Sequence, residues 1–364
     1  MGNGPIRIAQ VMGKMNGGGV ESVVMNYYRH INREAVQFDF FVDNDSLMLP
    51  REEIELLGGR VIDVTPYQNL PRYWRELESL FKENGYRIVH SHLTALSVFP
   101  LGAAKSAGVP VRIAHAHNTG GKGEYAKNAI RTMLRPFSNV YPTHRFACSR
   151  HAGEWLFGKN AQFEVVYNAI ELDRFTFDAE KRAQIRADLG ISEDTLVVGH
   201  VGRFMAQKNH DFLLDVFFQL HERKRNTRLL LVGEGNLKTR LEEKVRALHL
   251  DDCVSFVGQR DDIDRLYQAF DVFCLPSIYE GLGLVAIEGQ RAGLPCFVSD
   301  CVPKEVDITG TVVFLPIDNP NVWVNAISAI EPTKRLQVQN QAFSNYDIEK
   351  AAHALQSKYL ELEL

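Results

Sequence analysis

The sequence predicts an α/β protein built from two doubly wound, Rossmann-like parallel-sheet domains, and three observations carry that prediction. A chain of 364 residues with 45% hydrophobic content exceeds what one core usually holds. Short apolar runs alternate with segments of helical periodicity from one end to the other, the pattern of βαβ units. A polar, charged interval, Glu171 to Asp194, breaks that alternation once, after which it restarts.

In the first half, strands are predicted at Ile6 to Val11, Phe38 to Val42, Arg87 to His90, Val111 to Ala114 and Arg145 to Cys148. In the second half they are predicted at Thr195 to Gly202, Arg228 to Gly233, Val254 to Gly258, Asp271 to Leu275, Leu294 to Val298 and Thr311 to Leu315. The expected division is a first domain over 1–172, a linker over 173–194 with a short helix at Asp178 to Asp188, and a second domain over 195–345. The helical stretch 346–364 either caps the second domain or crosses back to the first. Two such sheets are expected to face each other across a cleft, with ligands at the carboxyl ends of the strands.

Composition narrows the function classes. A net charge of -4 and the lack of a long Lys/Arg block argue against a nucleic-acid partner. Cys148, Cys253, Cys274, Cys296 and Cys301 are odd in number and form no Cys-x-x-Cys pair, which suits reduced residues in a cytoplasmic protein. No run reaches the roughly 20 apolar residues that span a bilayer.

Three segments carry chemistry. Gly13-Lys-Met-Asn-Gly17-Gly18-Gly19 follows the first strand and opens a helix near Val20, where glycine N–H groups can approach an anion. The spacing is neither Gly-x-Gly-x-x-Gly nor a P-loop, which speaks against a nicotinamide oxidoreductase. Arg203 and Lys208 lie where the first strand of the second half gives way to a helix starting near Asn209. A fork and a point charge there suit a diphosphate leaving group without a metal. In Glu280-Gly-Leu-Gly-Leu-Val-Ala-Ile-Glu288 a helix starting about Gly283 leaves Glu280 in the preceding loop and Glu288 in the second turn, on the order of 10 Å apart. A diphosphate on the N–H groups of Leu282, Gly283 and Leu284 would then have its sugar near Glu280 and its ribose near Glu288.

Val257 and Gly258 end a strand before a helix, where a peptide can meet a nucleobase edge. His90-Ser-His92 and His115-Ala-His117 stand at strand ends; zinc is the sharper reading, but no third ligand of suitable spacing stands out, and hydrogen-bonded imidazoles are favoured for His90, His92 and His115. His117 reads as a polar group that meets a sugar. Asp43-Asn-Asp45 and Asp262-Ile-Asp264 are too short as motifs to imply a metal.

In this order, Gly17-Gly18, His117, Cys148-Ser149, Asn168-Ala-Ile170, Val201-Gly-Arg203 with Lys208, Val232-Gly-Glu-Gly235, Glu280-x(7)-Glu288 and Ala292-Gly-Leu-Pro295 resemble the retaining glycosyltransferases of family 4, which have the GT-B fold. Leu275-Pro-Ser-Ile-Tyr-Glu-Gly-Leu282 and Lys304-Glu-Val306 look most like enzymes of bacterial capsule and exopolysaccharide assembly. The resemblance implies transfer of a hexosyl group from a nucleotide-sugar, a UDP-sugar first, to a sugar or lipid-linked sugar acceptor, with no metal or other cofactor. It implies that Gly17 and Gly18 touch the donor phosphate, Arg203 and Lys208 the diphosphate, Glu288 the ribose, Glu280 the donor sugar and His117 a sugar hydroxyl. The chain has Leu282 where the family commonly has Phe, which removes a stacking contact. A sugar-nucleotide epimerase or phosphorylase of the same architecture and a non-catalytic nucleotide-sugar-binding subunit are the alternatives. Within 122–137, Lys122, Lys127, Arg131 and Arg135 interleave with Tyr125, Ile130, Met133, Leu134 and Phe137. This basic amphipathic segment suits an anionic membrane on the inner face, or an ordinary surface helix.

Overall fold

The computed structural model describes residues 4–117 and 125–364. They form two compact units: residues up to 170 together with 345–364, and residues 171–344. In unit 1 the strands are β1 (Ile6–Gly13), β2 (Val36–Asp43), β3 (Arg60–Val64), β4 (Ile88–Ser91), β5 (Val111–Ala116), β6 (His144–Ala147) and β7 (Glu164–Val165). They pair in parallel in the order β3-β2-β1-β4-β5-β6-β7. Every residue of β2 is buried, as in a sheet covered on both faces. Its one central acid, Asp39, is satisfied by the Arg7 guanidinium and by the Tyr86 hydroxyl at 2.7 Å.

Unit 2 holds β8 (Leu196–Val201), β9 (Thr227–Val232), β10 (Val254–Gly258), β11 (Val272–Leu275), β12 (Cys296–Ser299) and β13 (Val313–Leu315). They are parallel in the order β10-β9-β8-β11-β12-β13. Both sheets are doubly wound, as the sequence predicts. Their order reverses between β1 and β4 and between β8 and β11, the places where such sheets open to a ligand at their carboxyl ends.

The segment 173–194, read from sequence as a linker, is an integral part of unit 2. Its helix Ala179–Asp188 starts on Asp178, whose carboxylate accepts from the Glu180 and Lys181 N–H groups. Arg182 Nη2 lies 2.5 Å from Asp271 Oδ1 and Arg186 Nη1 lies 3.1 Å from Asp271 Oδ2. Both arginines also donate to carbonyls of residues 268–270, where the helix Ile263–Ala269 ends. Charges that read as a solvated spacer are thus buried and paired.

The last helix, Ile348–Glu363, belongs to unit 1. Tyr359 is fully buried against Phe38, and the Lys358 ammonium lies 2.9 Å from Glu164. The chain leaves and re-enters this unit side by side: Ile170 N donates to Tyr346 O and Ile348 N donates to Ile170 O.

Candidate active site

In unit 2 the strand-end segments at the β8/β11 reversal converge. Past β8 the chain turns through Gly202 and Arg203 into a short 3-10 helix, Ala206–Lys208. Asn209, in the left-handed region at φ 54, then starts the helix His210–Arg223. Past β11 the loop 276–283 leads into the helix Leu284–Arg291. The two segments are tied by Ile278 N donating to Gln207 O at 2.8 Å and by the Gln207 amide donating to Tyr279 O at 3.0 Å.

That tie sets Lys208 against Glu280. Lys208 Nζ lies 2.6 Å from Glu280 Oε1, Ser277 Oγ donates to the same oxygen at 2.7 Å, and Gln207 Nε2 lies 3.3 Å from Oε2. A buried carboxylate with three donors on it is an anchored charge. Arg203 is exposed and has no carboxylate partner among the described residues. Gly283 sits at φ 94, a conformation that favours glycine, and among the described residues no side chain caps the helix that follows. The first N–H groups of that helix lack intrahelical acceptors, so fixed cations and an open helix start lie on neighbouring loops.

Glu288 lies in the second turn, partly buried, with its Oε2 2.8 Å from the Tyr267 hydroxyl. Burial pushes its carboxyl up to about 7, against the opposing pull of the Tyr267 hydrogen bond and of the Arg174 and Lys208 charges. At the end of β10 the pairing register steps over Val257, and Gly258, at φ 77, has its carbonyl taken by Gly233 N. Glycines here answer close backbone approaches: a Cβ at Gly233 would lie 2.3 Å from Gly202 O, and one at Gly235 2.4 Å from Phe204 O.

Unit 1 carries the remaining candidates. Gly17 has φ 73, and the helix Gly19–His30 starts directly after Gly18. The Glu21 carboxylate accepts from Gly18 N and, at 3.1 Å, from Asn16 N, so these N–H groups already hold an anion of the chain itself. His117 is buried in a ladder of rings. It lies 2.8 Å from His92, which lies 2.8 Å from the Gln10 side-chain oxygen Oε1. Gln10 reaches Tyr359 Oη at 3.2 Å, and that oxygen lies 2.6 Å from His90, which is 3.1 Å from His115.

One ligand atom each from His90, His92 and His115 lies within 4.8 Å of the others, so the structure supplies the third histidine that spacing alone did not single out. Both nitrogens of His90 and of His92 are already engaged by neighbours, however. This donor set makes a neutral hydrogen-bonded ladder, and burial lowers the His117 pKa to about 3.

Sequence reasoning did not single out Gln207, Ser277 and Tyr267. The first two lie beside Lys208 and three residues before Glu280, a local signal; Tyr267 comes from a helix 21 residues away and has none.

The match to known proteins runs the length of the chain. A family model described as Glycosyltransferase Family 4 matches residues 17–174, and one described as Glycosyl transferases group 1 matches residues 181–343. The chain is 37% identical to the Bacillus subtilis (strain 168) protein named "Putative glycosyltransferase EpsF", over 97% of this chain and 96% of that one. The chain is a family-4 glycosyltransferase. This glycosyltransferase is also 25% identical, over 79% of its own length and 78% of the relative, to UDP-Gal:alpha-D-GlcNAc-diphosphoundecaprenol alpha-1,3-galactosyltransferase of Escherichia coli. Its GT-B fold is shared with Anabaena HepE in complex with UDP and glucose, at a TM-score of 0.81, 18% identity, and coverage of 98% of this chain and 100% of that one. It is shared equally with sucrose-phosphate synthase from Thermosynechococcus elongatus, at a TM-score of 0.81, 22% identity, and coverage of 98% and 99%.

Proposed function

We propose that this glycosyltransferase moves a hexosyl group from a UDP-sugar to a lipid-linked sugar acceptor with retention of configuration and without a metal, in the assembly of a capsule or exopolysaccharide. The observation that carries the reading is the Lys208–Glu280 pair beside the exposed Arg203 and the uncapped start of the helix Leu284–Arg291. The bond from the anomeric carbon to the diphosphate oxygen breaks, the acceptor hydroxyl bonds to that carbon from the same face, and its proton passes to the departing diphosphate. Arg203, Lys208 and the N–H groups around Leu282, Gly283 and Leu284 take up the charge that develops on the leaving group. Glu280, already holding three donors, orients the donor sugar and Lys208 rather than attacking carbon. Glu288 takes the ribose, and the peptide at Val257 and Gly258 the base. For Gly17, Gly18 and His117 of unit 1, contact with donor phosphate and sugar rests on the family resemblance.

The donor and acceptor classes draw support from the relative named for UDP-Gal and a diphosphoundecaprenol-linked sugar, and from HepE with UDP and glucose. The polysaccharide context draws on the Erwinia amylovora relative named for amylovoran biosynthesis, 38% identical over 30% of this chain. A thermal-shift screen of UDP-, GDP- and ADP-sugars in EDTA, followed by NMR of the product anomer, tests the reading. Stabilisation by UDP-sugars and an anomer matching the donor are expected; an inverted product or a strict need for divalent metal defeats it.

Docking on the cytoplasmic face of the membrane is part of the same proposal. Ile130, Met133, Phe137 and Val140 are exposed beside Arg131 and Arg135, a mix that suits an anionic lipid surface. Lys122 lies outside the described residues. Among the described residues no helix is long and apolar enough to cross a membrane. Sedimentation with anionic vesicles at low salt should carry the protein down, and M133E/F137E should release it; wild-type protein left in the supernatant defeats the idea.

A further inference from the structure

The Tyr267 hydroxyl has one hydrogen and two acceptors. Its oxygen lies 2.8 Å from Val285 O and 2.8 Å from Glu288 Oε2. A carbonyl and an ionised carboxylate can only accept, and one O–H cannot point at both. Both short contacts are satisfied together when the carboxyl carries a proton: Glu288 donates to Tyr267 Oη, and Tyr267 donates to Val285 O. The tyrosine is fully buried, so water does not stand in for either bond.

The charged groups facing Glu288 fit a neutral acid. On the helix that carries Tyr267, Asp264 is paired at 2.8 Å with Arg174, which also holds Glu171 at 3.1 Å. From the 3-10 helix after β8, Lys208 is committed to Glu280. On its own helix, Arg291 points to Leu172 O, the Thr176 hydroxyl and Asn340. Each nearby cation therefore already has a partner. Burial drives the carboxyl up to about 7, in the same direction as the geometry.

We propose that Tyr267 is a positioning residue that shares a proton with Glu288, so that the ligand-free protein holds Glu288 as an acid and a vicinal diol binding there expels its proton to solvent. A diol offers two O–H donors, which a carboxylate accepts on both oxygens and an acid does not. Tyr267 then turns its hydrogen from Val285 O to Glu288 and keeps the carboxylate in place. The identity of the diol, the ribose of a nucleotide-sugar, rests on the function proposed above; the shared proton does not.

Two measurements separate these parts. In ligand-free protein, infrared spectroscopy with 13C-labelled glutamate should show a protonated carboxyl band between pH 5.5 and 7 that E288Q removes. Tyr267→Phe should move its midpoint upward, because the carboxylate loses a charge-assisted donor. If E288Q removes no such band, the proton-sharing pair is wrong. Both substitutions keep the side-chain shape, and melting curves check folding. Calorimetry of UDP-glucose in two buffers of different ionisation enthalpy should show release approaching one proton per ligand at pH 6, none above pH 8, and none in E288Q. Affinity should weaken about tenfold per pH unit below the midpoint. Binding without proton release overturns the diol step, whereas a titrating carboxyl in a protein that binds neither UDP-glucose nor UDP overturns the nucleotide reading and leaves the pair standing.

Discussion

Lys208 Nζ lies 2.6 Å from Glu280 Oε1, and the Ser277 hydroxyl donates to that same oxygen at 2.7 Å. The ammonium thus bridges the two strand-end loops of unit 2. Lys208→Met would take the cation from the buried carboxylate and leave it, among the described residues, the neutral donors Ser277 and Gln207. Transfer should fall by at least about 100-fold through lost charge stabilisation, and unfolding free energy by about 1–3 kcal/mol, since Ser277 and Gln207 still donate to the carboxylate. In urea melts the double variant K208M/E280Q should recover part of that stability while remaining inactive. Equal stability of wild type and K208M would show that the pair is not coupled.

Gly202 offers a way to move Lys208 without removing it. A Cβ at Gly202 would lie 3.2 Å from Lys208 Cδ and Cε and 3.2 Å from His200 Nε2, so the flexible lysine stem and the end of the buried His200 ring both have to give by a few tenths of an ångström. Gly202→Ala should lower kcat several-fold at a stability cost below about 1 kcal/mol. Gly235→Ala is the contrast. Its Cβ would meet the Phe204 backbone at 2.4 Å, which cannot yield locally, and the expected cost is about 1–3 kcal/mol or more in the same melts. If the two variants lost stability alike, the contacts at Gly202 would be as rigid as those at Gly235.

These relationships mark how far the sequence could be read. Mostly apolar strands such as β8 and β9 are legible because burial on both faces leaves runs that few other structures explain. β3 is missed because Arg60 and Asp63 face solvent at the edge, and β7 because two residues carry no pattern. The glycine and charge positions around Lys208 and Glu280 were visible as motif positions. Their 2.6 Å contact was not, because it depends on the Gln207 tie between loops more than 70 residues apart. Likewise, Arg182 and Arg186 look like a solvated helix face until Asp271 and the backbone carbonyls of 268–270 and 192–195 are brought to them.

Asp271 is the point where that former spacer is fastened. Its carboxylate takes Arg182, Arg186 and the N–H groups of Val197 and Thr333, all within unit 2. Asp271→Asn keeps the shape but removes the charge and turns a donor toward other donors. The expected loss is about 3–5 kcal/mol, the cost of stranding buried partners. Limited proteolysis should then cut within 178–195 faster than in wild type. Unchanged cleavage would mean that the helix Ala179–Asp188 is held by packing rather than by its arginines.

The buried histidines set an acid limit on stability. Desolvation lowers the pKa of His117 to about 3, of His200 to about 4 and of His210 to about 2, and drives His90, His92 and His115 well below the ordinary value. Unfolded imidazoles take up protons below about pH 6.5, while the native rings stay neutral. The unfolded state therefore binds more protons as pH falls, and stability drops from about pH 6.5 downward until each native pKa is reached. Each ring contributes up to about 1.4 kcal/mol per pH unit in that window and nothing above it. Urea unfolding at pH 7.5, 6.5, 5.5 and 5.0 should give a net fall below 6.5, where these rings outweigh Glu288 and Asp43, whose raised carboxyls bind protons in the folded state and pull the other way up to about pH 7. His117→Asn should reduce the slope by one ring's share, since an asparagine in the ladder has no proton to gain. A slope unchanged in that variant would mean that His117 is already protonated in the folded protein, contrary to its bonding with His92.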